Sequence, residues 1–179
     1  IVLSSLSQLS VKGWMYVDSE VYLEGNLGEI PVAGRIDLIL EDDESNLVLL
    51  DLKTGKLPSK GGTAKGRDFQ LPFYYQLAKQ NFQGNSISLL AYAAVSDRNP
   101  GKLVSFTGDE MESVMETVTV NARQIVLMIR KGLFTPIPTV SCDYCDYIGI
   151  CRRNPFVRIK EKVKLDSRME IFREIMLKK

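Results

Sequence analysis

Between residues 32 and 52 the chain is patterned to fold back on itself. Val32, Gly34, Ile36, Leu38 and Leu40 alternate with Ala33, Arg35, Asp37, Ile39 and Glu41, and Leu47 to Leu52 is an almost continuous apolar run, so both stretches suit β-strands. Asp42-Asp43-Glu44-Ser45-Asn46 between them reads as a polar turn. In an antiparallel hairpin folded about Glu44, Asp37 and Asp51 each stand seven positions from the turn and fall nearly opposite one another. Residues so opposed have Cβ atoms roughly 4.5–5.5 Å apart, and like charges there destabilise the sheet unless something sits between them. Strand side chains alternate faces, so Lys53 joins Asp51 while Leu52 turns to the opposite side, taken as the core side.

Two carboxylates and an amine at one spot suit a divalent cation. Mg²⁺ is typically held by one or two carboxylates, with waters and phosphate oxygens completing its shell. The lysine is then placed to orient or deprotonate an attacking water. The plainer alternative is a surface hairpin in which Asp51 and Lys53 form a weak exposed ion pair, and Asp-x-Lys alone favours that alternative.

Three further features change the balance. Gln70-Leu71-Pro72-Phe73-Tyr74 opens a helical pattern that continues through Tyr75, Leu77 and Ala78, with Asp68 as a reasonable N-cap and Pro72 tolerable only near the first turn. Gln70 and Tyr74, at i and i+4, share a face and can approach a phosphate or the attacking water, although a core tyrosine and a solvated first-turn glutamine are the commoner reading. Lys53 to Arg67 is a glycine-rich connection with five basic residues and no acid, in which Lys56, Lys60, Lys65 and Arg67 can contact a nucleic-acid backbone; the alternative is a solvated loop.

The third feature is Cys142, Cys145 and Cys151, all three cysteines of the chain within ten residues. An odd, clustered count argues against a complete disulfide framework and for metal ligation. Zinc and iron–sulfur sites normally take four protein ligands, and the sequence has no histidine and no fourth cysteine. Either an acid such as Asp143 completes the set, or the fourth thiolate lies outside this sequence; the latter is preferred.

In order and spacing, Gly34-Arg35-Ile36-Asp37, Asp51-Leu52-Lys53-Thr54-Gly55, Gln70 with Tyr74, and the three cysteines resemble the RecB-like branch of the PD-(D/E)XK nuclease superfamily, from about Trp14 to Arg153. The cysteine pattern looks most like the iron–sulfur nuclease domain of AddB-type helicase–nuclease subunits and their free-standing relatives. The resemblance implies an α/β fold with a restriction-endonuclease-like mixed central sheet flanked by helices. It implies Asp37, Asp51 and the Leu52 backbone carbonyl as ligands to Mg²⁺ or Mn²⁺, Lys53 as the catalytic lysine, and Gln70 and Tyr74 as an accessory pair. Cys142, Cys145 and Cys151 become three of four ligands to a [4Fe–4S] cluster.

The implied activity is DNA phosphodiester hydrolysis as an exonuclease or nuclease, leaving 5′-phosphate and 3′-hydroxyl ends, within a helicase–nuclease of double-strand-break repair and recombination. The alternative is a catalytically inactive module that binds DNA or a protein partner. The family's further Glu or His ligand precedes the first strand; here only Glu20 and Glu24 stand near it. The sequence therefore reads as the C-terminal piece of a longer protein: cluster binding then requires upstream sequence, and the piece alone can be inactive although its core folds.

Composition narrows the rest. At 179 residues with 45% hydrophobic residues the chain can bury a real core, and no run is long enough for a membrane span. A formal charge of +1 is not that of a strongly basic nucleic-acid binder, so DNA affinity has to come from uneven charge, basic at 53–67 and 152–164. Reduced, clustered cysteines suit the cytoplasm. No Gly-x4-Gly-Lys-Ser/Thr motif occurs, which puts any ATP hydrolysis in a helicase partner or an upstream region.

The expected elements are the end of a helix near Ile1 to Lys12, strands at 15–23, 32–41, 47–53 and 86–95, and helices at 69–82 and 108–131. The second helix carries an apolar stripe of Met111, Met115, Val118 and later Ile125, Val126, Met128 and Ile129, read as packing. Pro136 and Pro138 end it. The nuclease domain is expected over 1–155 and a charged C-terminal helix over 156–179.

Overall fold

The computed structural model describes residues 13–95, 101–133 and 146. Five strands, β1 (Met15–Leu27), β2 (Ile30–Glu41), β3 (Leu47–Lys53), β4 (Ile87–Ala94) and β5 (Leu103–Thr107), form one sheet in the order β1-β2-β3-β4-β5. Only β3 and β4 run parallel; the other neighbours are antiparallel. A parallel pair needs a crossover, and this one carries α1 (Lys60–Ala64) and α2 (Gln70–Asn81). The last helix, α3 (Gly108–Arg130), follows β5. The mixed sheet with its helices is the restriction-endonuclease-like α/β architecture. Residues 1–120 form one compact unit and 121–179 another; the second is described only at Asn121–Leu133 and Asp146.

The β2–β3 hairpin folds about Glu44, with Leu38 opposite Leu50 and Leu40 opposite Val48. The turn is built by Asp42, whose Oδ1 accepts from the Glu44 and Asn46 amides at 3.0 and 2.9 Å, while Ser45 takes a left-handed φ of 61°. Leu38, Leu40, Val48, Leu50 and Ala91 form one apolar cluster, flanked by Trp14, Leu89 and Leu103. In register, Leu49, Leu90 and Phe106 share the other face with Asp51 and Tyr92. That is the face α2 covers, since Tyr74 reaches Asp51 from above it. The Asp51 side of β3 is therefore core as much as the Leu52 side, and Leu52 is only half-buried.

Helix α2 buries Leu71, Tyr74, Tyr75, Leu77 and Ala78. Its N-cap is Phe69, one residue later than expected, but Asp68 still accepts the Gln70 amide at 3.2 Å. Gly34 permits the close approach: a Cβ there would lie 3.2 Å from Leu77 Cδ1 and 3.6 Å from Tyr74 Cε1. At the far end, Gln76 and Gln80 donate to the Asn26 carbonyl and Asn81 to that of Glu24, covering part of the backbone of the edge strand β1.

Two elements depart from expectation. The connection read as loop contains α1, started by Ser59, whose Oγ accepts from the Gly62 amide at 3.1 Å. Strand β5 also escaped the pattern, being five residues long. It leads straight into α3 through a reciprocal capping box: Thr107 Oγ1 accepts from the Glu110 amide at 3.2 Å and Glu110 Oε2 from the Thr107 amide at 3.0 Å. A Cβ on the intervening Gly108 would overlap the Ile87 carbonyl oxygen, a backbone atom that cannot step aside. Gly108→Ala is accordingly expected to lower the unfolding free energy by about 1–3 kcal/mol, read by chemical denaturation. The segments 1–12 and 156–179, and the three cysteines, lie outside the described residues.

Candidate active site

The β1–β2 ladder shifts register between Tyr16 and Asp18 and is interrupted again further along. Ser19 pairs with Leu38 and Val21 with Ile36, but Glu20 and Asp37 between them do not pair, and Glu20 has a left-handed φ of 55°. On the other side, the β2–β3 ladder ends at Leu38 and Leu50, just before Asp37 and Asp51. Asp37 thus sits where β2 is released by both neighbours. Its Oδ2 accepts the Leu52 amide at 2.7 Å. The Lys53 carbonyl accepts from Val95 on the β4 side at 3.0 Å, whereas the Leu52 N–H turns the other way, to Asp37.

Asp51 is 1% exposed. Its Oδ1 takes the Gln70 amide nitrogen and, at 3.4 Å, the Tyr74 hydroxyl; its Oδ2 lies 2.7 Å from Lys53 Nζ. Lys53 donates to Gln70 Oε1 at 2.8 Å, closing a ring of Asp51, Lys53 and Gln70. Gln70 also donates to Tyr74 at 3.1 Å, the i, i+4 contact anticipated on α2, and Tyr74 donates to the Arg35 carbonyl at 2.6 Å. The five side chains expected to be catalytic, Asp37, Asp51, Lys53, Gln70 and Tyr74, lie where β2, β3 and the start of α2 converge.

Burial pushes the Asp51 carboxyl above the usual carboxylate range, and the charge of Asp37 adds to this; the Lys53 hydrogen bond and charge, with a hydrogen bond from Tyr74, pull it back. Burial foremost, then the charges of Asp51 and Asp37, push the Tyr74 phenol up to about 12 against the Gln70 hydrogen bond. Tyr74 is therefore a donor, not a base.

The group fits a divalent cation. Two carboxylates and one ammonium leave the group with a net negative charge, and the buried Asp51 Oδ2 meets only the Lys53 ion pair among the described residues. No cluster of three or more His, Cys, Asp or Glu suited to a metal forms among those residues, so two acids are the share of side-chain ligands seen, enough for Mg²⁺. Of the upstream acids, Glu20 pairs with Arg35 at 3.7 Å and Glu24 accepts from the Tyr22 hydroxyl at 2.9 Å.

The basic connection is less uniform than its sequence. Lys56 and Lys65 are exposed and Arg67 is half-buried. Lys60 is engaged by both Glu110 oxygens at 2.8 Å and lies 5.0 Å from the Phe106 ring centroid. Half-exposed pairs of this kind are weak, so a phosphate can compete for Lys60. One residue of the site had no local signal: Tyr92, which β4 brings opposite Asp51 and whose ring centroid is 5.6 Å from Lys53 Nζ. Its hydroxyl is buried, and burial and the neighbouring Asp68 raise its pKa. None of the described helices is long and apolar enough to cross a membrane.

No curated protein matches the chain. The fold is similar to that of a provisionally named exonuclease from Eubacterium rectale, at 17% identity and a TM-score of 0.52, over 86% of this chain and 56% of that one, so the chain spans little more than half its length. A second solved structure, SSO0001, is similar at 17% identity and a TM-score of 0.43, over 83% of this chain and 67% of that one. Residues 2–152, which include both aspartates, Lys53, Gln70 and Tyr74, match the family model, and the chain belongs to the PD-(D/E)XK nuclease superfamily.

Proposed function

We propose that this chain is a DNA nuclease domain that hydrolyses phosphodiesters with Mg²⁺ or Mn²⁺ held by Asp37, Asp51 and the Leu52 carbonyl. The observation that carries the reading is the convergence of a buried acid, a second acid released from both ladders, and an ammonium 2.7 Å from the first. When bound, the cation supplies Lewis-acid charge neutralisation and lowers the pKa of water. Asp51 offers a desolvated oxygen, Oδ2, and Asp37 is oriented by the Leu52 amide. Lys53 holds or moves a proton at Nζ and meets charge developing on the phosphate. Gln70 keeps Lys53 and Asp51 in register, and Tyr74 fixes Gln70 from behind. Lys56, Lys60, Lys65 and Arg67 are proposed to contact the DNA backbone.

The finer assignments are an exonuclease within a helicase–nuclease of repair and recombination, cytoplasmic, with a helicase partner or upstream region and a [4Fe–4S] cluster on Cys142, Cys145 and Cys151. They are supported by the motif order and the cysteine spacing. The direct test incubates the full protein with linear DNA and Mg²⁺, with and without a chelator. Cleavage that stops with EDTA and returns with excess Mg²⁺ or Mn²⁺ is expected. Metal-independent cleavage would count against the two-aspartate chemistry, and DNA binding without cleavage would favour the inactive binding module. Visible charge-transfer absorption after anaerobic purification, lost in Cys145→Ser, tests the cluster.

A further inference from the structure

We propose that Tyr92 is a positioning residue that fixes the Lys53 ammonium through the face of its ring. The inference rests on Lys53 being the catalytic amine and goes beyond the ligand set and accessory pair. Lysine carries a flexible four-carbon stem, and an ammonium that must meet a phosphate at one point needs restraint on several sides. Two sides are already accounted for: Asp51 Oδ2 at 2.7 Å and Gln70 Oε1 at 2.8 Å. The third is the Tyr92 ring, at 5.6 Å from centroid to Nζ, within the roughly 6 Å reach of a cation–π contact.

The parallel register makes the contact possible. Tyr92 stands opposite Asp51, and the residue opposite Lys53 is Ala94, small enough to let the lysine lean back over the ring. Tyr92 is fully buried and its hydroxyl end is enclosed beside Asp68, so the ring cannot swing away. A ring placed only to fill the core would have no need of this register with the acid and the amine.

The test replaces Tyr92 with phenylalanine and then with di-, tri- and pentafluorophenylalanine in the full protein. This drains negative potential from the ring face at nearly constant volume. Tyr92→Phe is expected to keep kcat within about threefold, and the fluorinated series to lower it stepwise, by about three- to thirty-fold in all. KM for DNA and the thermal midpoint should not follow the series. Independently of activity, the Lys53 ε-methylene protons in the metal-free protein should carry an upfield ring-current shift that Tyr92→Leu removes.

A kcat indifferent to fluorination, or a Lys53 resonance unmoved by Tyr92→Leu, overturns the proposal. The two possible failures are distinguishable. If Lys53→Met cleaves like the native protein, the catalytic reading falls, while the resonance still decides whether the ring holds the ammonium.

Discussion

Asp51→Asn is expected to cut metal-dependent DNA cleavage by on the order of 10³-fold, the equivalent of the several kcal/mol a metal ion contributes to a phosphoryl transition state. The substitution is nearly isosteric, which matters because Asp51 is 1% exposed and touches Gln70, Tyr74 and Lys53. The amide oxygen can still accept from Gln70, and Lys53, whose side chain is 28% exposed, can turn to water. The fold should therefore survive with a thermal midpoint within a few degrees of the native one, and DNA binding through the basic connection should persist. Residual cleavage near the native rate at saturating Mg²⁺ would show that Asp51 is not a ligand. Collapse of the fold would instead point to a purely structural acid.

Much of this site was legible in the sequence because its parts are local. The hairpin could be folded on paper about Glu44, since the alternation of Val32–Glu41 and the Asp42–Asn46 turn fix the register, and that register, which ends at Leu38 opposite Leu50, leaves Asp37 and Asp51 at the same end of the hairpin. Gln70 and Tyr74 were one helical turn apart, so their contact followed from the period of α2. What could not be read was whatever depends on distant pairing. Tyr92 lies thirty-nine residues beyond Lys53 and is brought in by a parallel ladder that no local pattern announces. The engagement of Lys60 by Glu110, fifty residues away, was hidden for the same reason. Strand β5 and helix α1 were missed because each is five residues long, too short to establish a period, and α1 contains two glycines that argue against a helix.

Lys53→Met is expected to lower cleavage by about 10²- to 10³-fold, and it separates the two things the ammonium does. In the metal-free protein Lys53 is the cation nearest the buried Asp51, and its hydrogen bond and charge are the two largest influences lowering that carboxyl's pKa. Removing them leaves burial and Asp37 to push it further up, against the hydrogen bonds from Gln70 and Tyr74. A carboxyl whose folded pKa lies above its unfolded one stabilises the fold fully below the unfolded value and loses that contribution as pH rises through the folded one. The stability lost in Lys53→Met should therefore be small in acid, where Asp51 is protonated in the folded form of both proteins, and grow toward neutral pH. There it approaches the roughly 3–5 kcal/mol of a buried charge stripped of its partner. Mg²⁺ at neutral pH should recover part of that stability by replacing the lost positive charge, while cleavage stays low because the proton-handling amine is gone. A variant whose stability is indifferent to both pH and Mg²⁺ would mean that Asp51 and Lys53 are not electrostatically coupled, and the metal site built on them would fall with that result.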